Sequence, residues 1–114
     1  PSIKKKNNKY TLQTAEILLN LLKNKNSYKK QDIAIFGQKY LIHGMAEITQ
    51  MISEDQGIKK VALSGGVFVN DYITTTLSSI LKENGLTIYR QLYVPPGDGG
   101  TALGQGCIGI SKIM

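Results

Sequence analysis

One cysteine, Cys107, and one histidine, His43, are the only thiol and imidazole groups in this 114-residue chain. A lone cysteine excludes an intramolecular disulfide and a cysteine-only metal site, and a lone histidine excludes a paired-histidine site. Any metal centre drawn from this chain alone is therefore partial. No apolar run approaches the roughly 18–20 residues that span a bilayer. The lysine-rich N-terminus has no signal-type apolar core behind it, so the expectation is a cytoplasmic chain with no membrane partner. No internal repeat or linker divides the sequence. Residues 1–114 are read as one domain, with the basic segment 1–9 as a candidate mobile tail. A start at Pro1 instead of methionine suggests a piece of something longer.

Acidic residues are scarce where basic ones gather. Residues 1–30 hold eight lysines against Glu16 alone, a balance of +7 within a net charge of +6, so the remainder carries −1. A basic tail can contact phosphates. Here, however, arginine is absent and Asn7, Asn8, Asn20, Asn24 and Asn26 are interleaved, so a solvated Lys/Asn face is preferred over a nucleic-acid surface. With 41% hydrophobic and 19% charged residues, the composition is that of an ordinary globular domain.

Leu12, Ala15, Leu19 and Leu22 recur at helical spacing, which predicts an amphipathic helix over residues 10–24. A polar break at Asn24–Ser27 precedes a second helix from about Lys30 to Asp55. Its expected stripe is Leu41, Met45, Ile48 and Ile52, and its stop is Gly57. Val61-Ala62-Leu63 reads as a buried parallel strand, Asn70–Asn84 as a helix capped by Gly85, and Thr87–Val94 as a second strand closed by Pro95-Pro96. A last helix covers about residues 99–113, with Asp98 able to cap it. Its Gly100, Gly104, Gly106 and Gly109 are poor helix formers unless close packing or a ligand requires small residues. The expected class is α/β, helix-rich, in the order α-α-β-α-β-α with a short parallel β-α-β unit.

Chemistry concentrates at the carboxyl ends of the two strands, where open α/β sheets bind ligands. Ser64-Gly65-Gly66-Val67 links a strand to a helix start, and its glycines would let the backbone approach a phosphate stabilised by free N–H groups and the helix dipole. A tight turn needs glycine for backbone reasons as well. Pro95-Pro96-Gly97-Asp98-Gly99-Gly100 should lie beside it. Asp98 has two candidate roles, helix cap or ligand to a cation, which one carboxylate does not decide between.

The segment Leu63-Ser64-Gly65-Gly66-Val67-Phe68-Val69-Asn70, followed by Val94-Pro95-Pro96-Gly97-Asp98-Gly99-Gly100-Thr101-Ala102-Leu103-Gly104-Gln105, resembles the paired signature that closes HypF-type carbamoyltransferases. The likeness covers roughly residues 30–110. It implies a partial actin-like ATPase (ribonuclease-H-like) lobe. Ser64, Gly65, Gly66, Val67, Asn70, Gly99 and Gly100 would then line a nucleotide site, and Asp98 would be one ligand of a divalent metal. Two departures stand out: Gly97 occupies the place where the family usually has Asn, and Gly37 the place where a histidine is expected.

The resemblance further implies that the parent enzyme uses ATP and carbamoyl phosphate to form carbamoyl-adenylate and passes the carbamoyl group to a cysteine of an acceptor protein in [NiFe]-hydrogenase maturation. The histidine-rich metal motif and the first lobe are not in this sequence, so weak or no catalysis is expected from the chain alone. Two alternatives stand beside this reading. One is a nucleotide-binding or self-associating module whose surface a second copy or a complementary lobe would cover. The other is a relative of the tRNA threonylcarbamoyl-transferases, which fits the Pro-Pro loop less well.

Overall fold

The computed structural model describes all residues from Pro1 to Met114 and divides into two compact units, Pro1–Ile58 and Lys59–Met114. The first unit opens with a hairpin. Strands β1 (Ile3–Lys6) and β2 (Lys9–Leu12) pair antiparallel, with Ile3 opposite Leu12 and Lys6 opposite Lys9. Asn7 and Asn8, at φ 50° and 59°, form the two-residue turn. Both sit in the left-handed region that a hairpin of this length requires and that asparagine tolerates better than most residues.

This hairpin corrects the expectation of a helix from residue 10, and the basic segment 1–9 supplies its first strand, its turn and the start of its second strand. Leu12 matched the helical spacing only by coincidence, since it ends a strand. Helix α1 runs Ala15–Lys23, and its half-buried side is Ile17 and Leu21, while Leu19 and Leu22 are exposed.

Helix α2 spans Lys30–Gln56 and stops at Gly57, whose φ of 67° is the left-handed cap that glycine adopts without strain. Ser53 reinforces the stop: its hydroxyl donates to the Ile58 carbonyl and its own carbonyl accepts from the Ile58 amide. The buried residues of α2 are Ile42, Gly44, Ala46 and Ser53, whereas Leu41, Met45 and Ile52 of the expected stripe are exposed. Two apolar stripes run along this helix, and periodicity alone does not say which one faces inward.

Side chains of α2 hold the hairpin at both ends. The Tyr40 hydroxyl donates to the Gln13 carbonyl (2.6 Å) and accepts from the Ser2 amide (3.2 Å). Farther along, Asp55 accepts from Lys5 Nζ at 2.8 Å and from the Tyr10 hydroxyl. Between these ties a β-carbon on Gly44 would fall 2.5 Å from Leu12 Cδ1, so strand and helix approach closely there and any side chain would have to displace that of Leu12.

In the second unit, strand β3 (Lys60–Leu63) runs parallel to β4 (Thr87–Arg90), with Lys60 opposite Thr87 and Leu63 opposite Arg90. Helix α3 (Asp71–Glu83) is the crossover, making the β-α-β unit that the sequence predicts. Leu77 and Leu81 of α3 are buried with Leu63 and Leu86, and each such side chain contributes roughly 1.5–3 kcal/mol. Gly85, at φ 81°, follows the end of α3 as expected.

The strands themselves are less buried than a parallel pair was expected to be: only Leu63 among their residues is buried. β4 is also shorter than its alternation implies, ending at Arg90. Helix α4 (Asp98–Ile113) has no buried residue. The α/β, helix-rich class holds, with the hairpin preceding the predicted element order.

Candidate nucleotide site

The two glycine loops come together. Gly65, at φ 116° and ψ 161°, occupies a backbone region that side chains avoid. Its amide donates to the Pro96 carbonyl at 2.8 Å, tying the loop after β3 to the loop after β4. A β-carbon on Gly97 would lie 3.8 Å from the Gly66 Cα, so the backbones touch at a second point. On the open side, nothing lies within 4 Å of where Gly65 or Gly66 would carry a side chain. The chain provides no acceptor for the Gly66 and Val67 amides, which leaves two N–H donors of this turn without a partner.

One expectation is revised at this turn. The residues after Gly65 form a single 3-10 turn, Gly66–Val69, and α3 begins only at Asp71. The α3 helix terminus is thus displaced from the Gly-Gly turn, and any anion there would rest on individual amides. Asn70 supplies the N-cap of α3: its Oδ1 accepts from the Ile73 amide at 3.1 Å, leaving Nδ2 as the group able to donate to a ligand. Thr74 Oγ1 donates to the Phe68 carbonyl at 2.9 Å and pins the end of the turn to α3.

On the second loop, the glycines are demanded by packing. A β-carbon on Gly100 would fall 2.6 Å from the Pro95 carbonyl oxygen, and one on Gly99 would fall 2.7 Å from Pro95 Cγ. Gly104, Gly106 and Gly109 meet nothing within 4 Å. The close-packing explanation therefore applies to the first turn of α4 and not to the rest of it.

Asp98 is the first residue of α4, and Gly97 holds the cap position with no side-chain cap bond. Its expected capping role is not realised. Its exposed carboxylate at the first turn is favoured by the helix dipole. No group of three or more His, Cys, Asp or Glu side chains in the chain is arranged to hold a metal ion. The residues present do not fit a metal centre by themselves. His43 is exposed on α2, and Gly37 has open space around it.

Gln91, just past β4, belongs to the site and was not singled out from sequence. Its Nε2 donates to Ser64 Oγ at 2.9 Å, bridging the two loops. Its Oε1 is buried without a partner. In the sequence it is one polar residue inside the alternating run Thr87–Val94, which is too common a pattern to be informative.

A family model described as "Carbamoyltransferase, Kae1-like Domain, second subdomain" matches residues 2–105. The chain belongs to this family. It is 37% identical over 105 residues to the probable carbamoyltransferase HypF of Methanocaldococcus jannaschii, covering 89% of this chain and 13% of that protein. Its fold superposes on full-length HypF, solved in a phosphate- and nucleotide-bound form, with a TM-score of 0.84 and 30% identity over 91% of this chain and 14% of that one. T. kodakarensis HypF gives a TM-score of 0.69 at 32% identity, covering 82% of this chain and 12% of that one. The chain thus spans about one seventh of the length of these relatives. The HypF C-terminal resemblance seen in the sequence is therefore shown, and so is the Kae1-like α/β fold. No helix is long and apolar enough to cross a membrane.

Proposed function

We propose that this chain forms the nucleotide-facing portion of a HypF-type carbamoyltransferase domain. The observation that carries the reading is the bond between the Gly65 amide and the Pro96 carbonyl, which sets two glycine loops side by side next to the free Gly66 and Val67 amides. Such amides suit a phosphate, because they offer fixed donors without a side chain in the way. Ser64, Val67 and Asn70 surround the first loop, and Gly99 and Gly100 open α4 beside the second.

In this reading the complete enzyme, acting in the cytoplasm, takes the carbamoyl group from carbamoyl phosphate, with water releasing phosphate, and joins it to the adenylyl group of ATP, with release of pyrophosphate, to make carbamoyl-adenylate. The carbamoyl group then passes to a cysteine thiol of an acceptor protein in [NiFe]-hydrogenase maturation. ATP supplies the activated leaving group; this chain's residues bind and orient the nucleotide. Asp98 is proposed as one metal ligand only in the complete domain, where other segments must provide the rest. Transfer needs reacting groups held in place from several sides, so the isolated chain binds nucleotide without appreciable catalysis.

Titration of the labelled 114-residue chain with AMP and ATP tests this. Expected are amide shifts at Gly65, Gly66, Val67, Asn70, Gly99 and Gly100; silence at all six with millimolar nucleotide would remove the nucleotide reading. ATP-dependent carbamoyl transfer at an enzyme-like rate by the chain alone would overturn its dependence on the remaining segments. The unburied α4 supports a second reading, a self-associating module, whose test belongs with the whole molecule below.

A further inference from the structure

The contact between Gln91 and Ser64 has a direction. A serine hydroxyl has one hydrogen to donate and two lone pairs to accept with. Gln91 Nε2 donates to Ser64 Oγ at 2.9 Å, so this bond uses a lone pair and leaves the hydroxyl hydrogen free. Ser64 is exposed at the carboxyl end of β3, immediately before the open Gly65-Gly66 turn. Gln91 is itself constrained: its Oε1 is buried, and its Nε2 lies 3.8 Å from where Gly100 would carry a β-carbon.

We propose that Gln91 is a positioning residue that fixes Ser64 as a hydrogen-bond donor toward a phosphoryl oxygen of the bound nucleotide. This inference rests on the nucleotide reading above and adds to it a polarity: the loop edge presents donors, namely the Ser64 hydroxyl with the Gly66 and Val67 amides, and so selects an acceptor oxygen. A glutamate at position 91 keeps the shape but inverts the bond, because a carboxylate only accepts and would take the Ser64 hydrogen for itself.

The test compares AMP, adenosine and inorganic phosphate binding by calorimetry for the wild-type 114-residue chain, Gln91→Glu, Gln91→Leu, Ser64→Ala and the Gln91→Glu/Ser64→Ala double variant. Loss of a hydrogen bond to a charged group predicts about a tenfold weaker AMP affinity for Gln91→Glu, with adenosine affinity unchanged. Ser64→Ala should weaken AMP to a similar degree, and the double variant should be no weaker than Ser64→Ala alone. Gln91→Leu, which loosens the hydroxyl without inverting it, should fall between wild type and Gln91→Glu. Phosphate binding that tracks AMP across the variants would identify a free anion as a sufficient ligand; phosphate that never binds would mean the nucleotide is required.

Wild-type AMP affinity in Gln91→Glu would overturn the polarity assignment while leaving the nucleotide reading intact. So would a loss of AMP affinity that persists unchanged in the Ser64→Ala background, since that would be charge repulsion acting without Ser64. Equal losses for AMP and adenosine would show a collapsed loop and would also overturn it. Failure of the wild-type chain to bind AMP would instead sink the nucleotide reading, and this inference with it. Should Gln91→Glu unfold, Gln91→Leu decides beside Ser64→Ala: wild-type AMP affinity in Gln91→Leu with affinity lost in Ser64→Ala would overturn the positioning role, and a partial loss with adenosine affinity kept would support it.

Discussion

Glycines in α4 illustrate how identical residues differ in their reasons. At Gly100 a methyl group would meet a backbone oxygen at 2.6 Å, whereas at Gly104 it would meet nothing within 4 Å. Gly100→Ala should therefore destabilise the chain by about 1–3 kcal/mol, as forced overpacking does. Gly104→Ala should stabilise it by about 0.5–1 kcal/mol by limiting the unfolded chain's freedom. Urea unfolding of the two variants measures both signs. Opposite signs are the informative result, since a general helix-propensity effect would make both stabilising.

Asp55 offers a pH-dependent test at the same scale. The Lys5 ammonium, and then the Tyr10 hydroxyl, hold its carboxyl below the ordinary aspartate range, while Lys5 is pushed upward by the same carboxylate and stands 4.8 Å over the Tyr10 ring. A lowered folded pKa means that the ionised form is favoured by folding. This stability is present above the unfolded value near 3.9 and is lost as the pH falls through the lower folded value. Unfolding midpoints from pH 7 to pH 3 should show Asp55→Asn less stable at neutral pH and converging on wild type in acid. Because both partners are about half exposed, 1 M salt should narrow the neutral-pH gap.

At the scale of elements, the hairpin was the largest departure from sequence periodicity. Six consecutive basic or polar residues, Lys4 to Lys9, hid a strand pair whose inward side is short, and Leu12 lent its spacing to the following helix. The turn makes a clean prediction. Asn8→Gly should raise stability by about 0.5–1 kcal/mol, because glycine adopts the left-handed conformation at φ 59° without steric cost. Asn8→Val should lower it, and thermal unfolding of the pair reads the difference. By contrast, α2, β3, α3 and β4 were legible because their signals are local: Gly57 and Gly85 stop helices by left-handed backbone, and the alternation from Thr87 marks β4, although the strand ends at Arg90 and not at Pro95-Pro96. The inward face of α2 was not legible, since Ile42 and Ala46 carry no local mark distinguishing them from Leu41 and Met45.

At the scale of the whole chain, α4 has no buried residue along its length. Leu103, Ile110 and Ile113 are exposed by 53%, 60% and 88%, and Leu103 and Ile110 stand two turns apart on one side of the helix. Apolar surface of this kind favours association. Sedimentation of the 114-residue chain should show mass rising with concentration, and a Leu103→Gln/Ile110→Gln variant should remain monomeric over the same range. A wild-type mass that never departs from monomer would remove the self-association reading and leave only cover by other segments of a longer protein.

The sequence by itself determined the family and the two loop motifs, because Gly65 answers to the backbone geometry of its own turn and Gly99-Gly100 to Pro95 a few residues before them, both written in neighbouring residues. Tertiary structure decided which residues meet: that Gly65 bonds to Pro96, that Gln91 reaches Ser64, and that Gly44 yields space to Leu12. Each of those pairs lies more than twenty residues apart in the chain, and no local pattern encodes a partner at that distance. The physical reason is that a turn's conformation depends on its own residues, whereas a contact depends on where two separate turns are carried by the elements between them.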